Sequence, residues 1–91
     1  MATLIKPDGE QLSVTPKNEI FTLEEMYDLL ECSCVQIIQL HDGRIMWIDE
    51  NGKLKRHFIN PIATVLLEMA GGGPGDYIAG SALITDSNEI D

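Results

Sequence analysis

Cys32-Ser33-Cys34, His41 and His57 supply the element count of a zinc site, two thiols and two imidazoles. Structural zinc draws its cysteines from knuckles with about two to four residues between the sulfurs, and a single spacer followed by widely separated histidines does not match. Two reduced thiols at a junction between elements are the plainer reading, and no metal is expected. A cysteine–histidine nucleophile needs a third group to orient the imidazole and an oxyanion site, and nothing local supplies either. Asp49 and Glu50 stand beside a turn and read as solvated turn residues rather than an acid–base pair. The run Gly71-Gly72-Gly73-Pro74-Gly75 would cradle phosphate only after a strand and before a helix carrying a lysine; here a helix precedes, a strand follows, and Asp76 comes next. It reads as a flexible connector that could gate a pocket. No catalytic residue and no cofactor emerge, so an enzyme is not expected.

Charge is more informative than any of these motifs. The 91 residues carry 15 acidic and 6 basic side chains, a net charge of −9. Residues 41–60 hold Arg44, Lys53, Lys55 and Arg56 against Asp42, Asp49 and Glu50, a balance of +1, while the rest of the chain, with Lys6 and Lys17 as its bases, stands at −10. A domain this acidic is not expected to bind nucleic acid or an anionic membrane directly, because phosphate rewards clustered Lys and Arg. The segregation instead allows one basic surface to sequester an anionic small molecule such as a nucleotide immune signal. Arg44, Lys55, His41 and His57 would ring a floor of Met46 and Ile48, with Tyr77 against a base from beyond the glycine run. Such binding should tighten as pH falls through the imidazole range. The bland alternative is a wet sheet face dotted with cations. A second function is an inhibitor or DNA mimic whose acidic helix, Glu24, Glu25, Asp28 and Glu31, occupies a basic nucleic-acid site on a host protein. Its bland counterpart is a solvated helix face.

Several elements must position these residues. Ala2 to Lys6 and Gln11 to Val14 flank Pro7-Asp8-Gly9, a turn whose proline pre-sets one dihedral and whose glycine accepts a positive φ, so a β-hairpin is expected. Thr22 and Glu25 form a capping box for a helix whose inner face is read as Leu23, Met26, Tyr27 and Leu30, with Phe21 and Met26 as a hydrophobic staple. Asp42-Gly43 and Asn51-Gly52 favour two-residue hairpin turns, which predicts a meander of Cys34 to His41, Arg44 to Glu50 and Lys53 to Phe58. In that register Ile38 faces Trp47, and Ile38, Leu40, Ile45, Trp47, Leu54 and Phe58 share the core side with both helices packed on it. Asn60-Pro61 starts a second helix that Gly71 ends, and Asp76 to Thr85 reads as a strand.

The fold class predicted is therefore α+β, an antiparallel sheet of hairpin, meander and C-terminal strand packed against two helices. One domain over residues 1–85 is expected, with 86–91 a flexible acidic tail. A chain this short buries only about 60 to 65% of its unfolded surface. The second helix, Ile62 to Ala70, is apolar nearly all round, so a homo-oligomer, with a dimer favoured, is expected through it. Apolar runs of a few residues and an opening with no charged-then-apolar segment predict neither a membrane span nor a leader. With two cysteines too few for a disulfide framework, a cytoplasmic protein is expected.

Asn51-Gly52-Lys53-Leu54, Asn60-Pro61-Ile62-Ala63-Thr64 and Asp76-Tyr77-Ile78-Ala79-Gly80 together make the chain resemble an uncharacterised family of small domains, known only as a domain of unknown function. The likeness runs from Ile5-Lys6-Pro7 to the region of Ile84. Such domains are encoded largely by phages, plasmids and other mobile elements, so the resemblance implies a cytoplasmic accessory protein acting against or alongside host systems. It carries no catalytic residue over.

Overall fold

In the computed structural model, residues 2–18, 20–40, 42–52, 57–72 and 75–86 are described. Seven elements follow in chain order: β1 (Ala2–Ile5), β2 (Gln11–Val14), α1 (Leu23–Leu30), β3 (Val35–Gln39), β4 (Ile45–Asp49), α2 (Pro61–Met69) and β5 (Ala82–Thr85). The strands form one sheet in the order β2-β1-β5-β4-β3, every neighbouring pair antiparallel. The architecture is α+β, as the sequence predicts. The last strand lies at the centre of the sheet, between β1 and β4.

Two hairpins are built alike. Lys6 donates its N–H to the Glu10 carbonyl and Gly9 to the Lys6 carbonyl; in the second hairpin Leu40 donates to Arg44 and Gly43 to Leu40. Both loops place three residues between the closing pair, and both end on a glycine in the left-handed region, Gly9 at φ 93° and Gly43 at φ 87°. Asp8 and Asp42 occupy equivalent positions, each accepting the amide two residues on. This three-residue loop corrects the two-residue turn expected at Asp42-Gly43 and shifts the register by one: Ile37 pairs with Trp47 and Ile38 with Met46.

The shift has a visible consequence because both sheet faces are covered. One face carries Ala2, Leu4, Trp47 and Leu83 and packs against Phe21, Met26 and Leu30 of the α1 region. The other carries Ile5, Met46, Ile48, Ala82 and Ile84 and packs against Ala63 and Leu67 of α2. The helices lie on opposite faces, not together on the Trp47 side as expected. Met46 and Leu83 are completely buried, each side chain contributing about 1.5–3 kcal/mol by leaving water. The expected third meander strand has no place beside β4, since β5 pairs there; Lys53, Leu54, Lys55 and Arg56 lie outside the described residues, and Phe58, expected in the core, is 84% exposed. Asn51-Gly52 is a turn closed by Gly52 donating to the Asp49 carbonyl, without the positive φ values a two-residue hairpin turn requires. Gly52 is needed because a methyl group there would strike the Ala79 carbonyl oxygen.

Caps behave as the sequence predicts. Thr22 and Glu25 make the capping box, and Asn60 caps α2 with Pro61 as its first residue. Gly71, at φ 95°, donates to Glu68 while Gly72 donates to Leu67, the paired bonds that close a helix C-terminus. The inner face of α1 is Met26 and Leu30 with half-buried Leu29, whereas Leu23, expected inside, is 52% exposed. The strand expected over Asp76 to Thr85 is regular only from Ala82; before it the chain makes one isolated bridge, Ile59 to Ala79.

Candidate functional site

Of the residues expected to ring an anionic ligand, the described ones, Arg44 and His57, are not brought together. Arg44 closes the β3–β4 hairpin, and its Nε donates to Asp42 Oδ2 at 2.6 Å in an exposed pair. The Asp42 carboxyl is held below its ordinary value, first by the Arg44 backbone N–H at 3.1 Å and then by the guanidinium. Met46, the expected floor, is fully buried beneath α2, and Ile48 beside it is also core. That is the direct result of the register shift, which turns the expected ligand face into packed interior. His41 and Lys55 lie outside the described residues.

His57 and Tyr77 lie around the opposite end of β4, about 16 Å from Arg44 at 3.3 Å of rise per residue. His57 is half-buried, its ring against Gly80 and its Nε2 3.5 Å from Oδ2 of the buried Asp49. Asp49 Oδ1 accepts the Asn51 amide, so this carboxylate also fixes the turn that follows β4. Tyr77 lines a cavity of about 150 Å³ together with Asp49, Glu50 and Asp76. Its polar wall is these three carboxylates with Gln36, a surrounding that disfavours the anionic ligand whose base Tyr77 is expected to meet. Among the described residues no group of three or more His, Cys, Asp or Glu is arranged to hold a metal ion.

Two surfaces have a more definite character. Along the outside of α1, Glu24 and Asp28 stand one turn apart and exposed, and exposed Glu31 follows as the C-cap, where the backbone turns left-handed at φ 53° and leaves the helix. Among the described residues no ion pair reaches them. Glu25, counted with them in the sequence, instead spends its carboxylate on the cap: Oε1 accepts from Thr22 and Oε2 from the Lys17 amide. Of the described cations, Lys6 and Arg44 are each beside a carboxylate, Glu10 at 3.6 Å and Asp42 at 2.6 Å, while Lys17 borders a cavity shared with Glu25 and Asp28 of α1.

The second surface was not singled out by sequence reasoning. A groove of about 720 Å³ runs between the start of α1 and β3, lined chiefly by Ile20, Phe21, Leu23, Val35, Ile37 and Trp47, with Thr22 and the acidic Glu24 also on its wall. Ile37, 52% exposed, stands at its rim on the edge strand of the sheet. The available signal was Val35-Gln36-Ile37-Ile38-Gln39, a strand without charge in a chain at −9. On α2, Val65 and Met69 are exposed one turn apart, and Phe58 and Ile59 precede the helix exposed as well. No helix among the described residues is long and apolar enough to cross a membrane.

One family model, described as Domain of unknown function (DUF3846), matches residues 1–91. No curated protein and no solved structure matches the chain.

Proposed function

The chain belongs to that family of unknown function over its whole length, and from its surface we propose that it is a non-enzymatic interaction domain that binds a basic protein. The acidic row Glu24, Asp28 and Glu31 is the contact, and the partner is a host protein whose own basic surface serves nucleic acid. The observation that carries this reading is that Glu24 and Asp28, exposed one turn apart on α1, enter none of the ion pairs among the described residues, whereas Lys6 and Arg44 sit on neighbouring carboxylates; Lys17, which borders a cavity with Asp28, is the cation a partner would have to displace. Two carboxylates one turn apart on α1, with Glu31 at its C-cap, offer a basic groove a cluster of like charge whose long-range field speeds encounter with such a partner. The setting we propose is the cytoplasm of a cell carrying a mobile element, with the protein acting as that element's accessory factor against a host system.

Sequestering an anionic nucleotide is supported less well, because Met46 is core, Arg44 is paired and Tyr77 faces carboxylates. A pull-down from host lysate decides between the two. The wild-type domain should retain a nucleic-acid-binding protein that double-stranded DNA displaces. Glu24→Lys with Asp28→Lys should lose it, and Arg44→Glu with Lys55→Glu should keep it. Retention by the α1 variant would sink the acidic-row reading, and thermal stabilisation by nucleotides or cyclic dinucleotides that the Arg44/Lys55 variant abolishes would restore the ligand reading.

A further inference from the structure

We propose that the β3 edge pairs with the β3 edge of a second copy, joining two five-stranded sheets into one continuous antiparallel sheet around a two-fold axis at Ile37. The hydrogen bonds on either side of β3 fix which of its backbone groups are available. Leu40 donates to the Arg44 carbonyl at one end, and Glu50 donates to the Cys34 carbonyl at the other. Antiparallel pairing alternates, so residues 34, 36, 38 and 40 turn their N–H and C=O groups toward β4. Val35, Ile37 and Gln39 turn theirs away from the sheet. Outward groups must meet outward groups, and a two-fold axis at Ile37 achieves this: Val35 opposes Gln39 of the second copy, Ile37 opposes Ile37, and Gln39 opposes Val35. Each opposed pair can exchange two hydrogen bonds.

Side chains and charge favour the same occupant. Ile37 shares the Trp47 face, so the two copies of this 52% exposed side chain meet at the axis beside the apolar groove of Leu23, Val35 and Trp47. Edge strands are ordinarily protected from pairing by Lys, Pro or a covering loop; Val35–Gln39 has neither charge nor proline. For a chain at −9, the uncharged strand keeps like charges out of the paired strands themselves, with Glu24 standing in the groove beside them. The other edge is a poorer choice. On β2 the bond from Lys6 to the Glu10 carbonyl sets the alternation so that Gln11 and Ser13 point outward, fewer groups with polar side chains, and Pro16 follows closely. Two-fold symmetry normal to the sheet also places both α1 helices on the same side, so the acidic rows of the two copies flank the axis. The pairing stands whether or not that row binds a partner.

Sedimentation tests it on the full chain. The wild type should sediment at twice its 10.1 kDa monomer mass. Ile37→Pro removes the one outward N–H at the axis and leaves every β3–β4 hydrogen bond in place, so it should weaken association on the order of 100-fold while the circular dichroism spectrum is unchanged. Ile37→Lys, which sets two like charges at the axis, should do the same and decides the matter if the proline variant does not fold. Leu12→Lys on β2 and Val65→Glu on α2 should both remain dimers. A monomeric wild type, a dimer that survives Ile37→Lys, or a dimer abolished by Leu12→Lys or by Val65→Glu overturns the proposal, the last placing the interface on α2.

Discussion

Asn60 holds three parts of the chain with one side chain. Completely buried, it donates from Nδ2 to the carbonyls of Ile5 and Gly80, both at 3.0 Å, and accepts the Ala63 amide on Oδ1 at 3.1 Å. Its amide thereby ties the end of β1, the approach to β5 and the start of α2 together, with every polar atom satisfied. Asn60→Ala removes the cap and strands two buried carbonyls, for a loss of about 3 kcal/mol read as a lower denaturant midpoint. Asn60→Asp keeps the cap acceptor but sets a carboxylate against the same two carbonyls, so it should rescue little or nothing. Asp42 makes a test of a different kind. Its carboxyl titrates below the ordinary value, so its contribution to stability is present above the ordinary carboxylate pKa and is lost as pH falls through the lowered one. In Arg44→Gln the guanidinium is gone but the backbone N–H of residue 44 still points at the carboxylate. NMR titration of Asp42 should therefore show its midpoint rising only part of the way back.

At the scale of elements, the two hairpins explain both what the sequence makes legible and what it conceals. Pro7-Asp8-Gly9 and His41-Asp42-Gly43 share Asp-Gly at the same loop positions, and Gly9 and Gly43 adopt the same positive φ. A dipeptide alone does not say whether it forms a whole two-residue turn or the last two-thirds of a three-residue loop, and that ambiguity moved Met46 from floor to core. The proline-containing hairpin held the answer, because proline occupies the first of three loop positions there. Both helix starts and the end of α2 were legible because caps depend on local hydrogen bonds. The pairing of β5 between β1 and β4 was not, since it joins Thr3 to Ile84 on one side and Ile45 to Thr85 on the other, separations that leave no local mark. The same reasoning predicts the response of each element to substitution. Gly43→Ala should cost about 1–2 kcal/mol through its left-handed backbone alone, with open space around the new methyl group. On α2, Leu67→Ala should cost about 2–5 kcal/mol because Leu67 is buried in one core cluster with Ile48 and Ile78, whereas Val65→Ala, on the exposed side, should change the thermal midpoint little.

For the whole molecule, net charge and edge pairing make opposite demands on salt. Two copies at −9 repel as they approach, and the proposed β3 contact contains no ionic attraction to offset that repulsion. At low ionic strength the repulsion acts across the small dimensions of the domain, with a radius of gyration of 12.1 Å, while near physiological salt the screening length falls to about 8 Å. Self-association should therefore strengthen as salt is raised. A complex between Glu24, Asp28 and Glu31 and a basic partner is held by opposite charges and should weaken over the same range. Sedimentation of the domain alone and of the complex, each at a series of sodium chloride concentrations, should give slopes of opposite sign. Glu24→Lys with Asp28→Lys sharpens the comparison, since it reduces the magnitude of the charge on each copy. That variant should dimerise more tightly than the wild type at low salt while failing to hold the partner. If instead its dimer weakens together with partner binding, the α1 row belongs to the contact between copies, and the two surfaces are one.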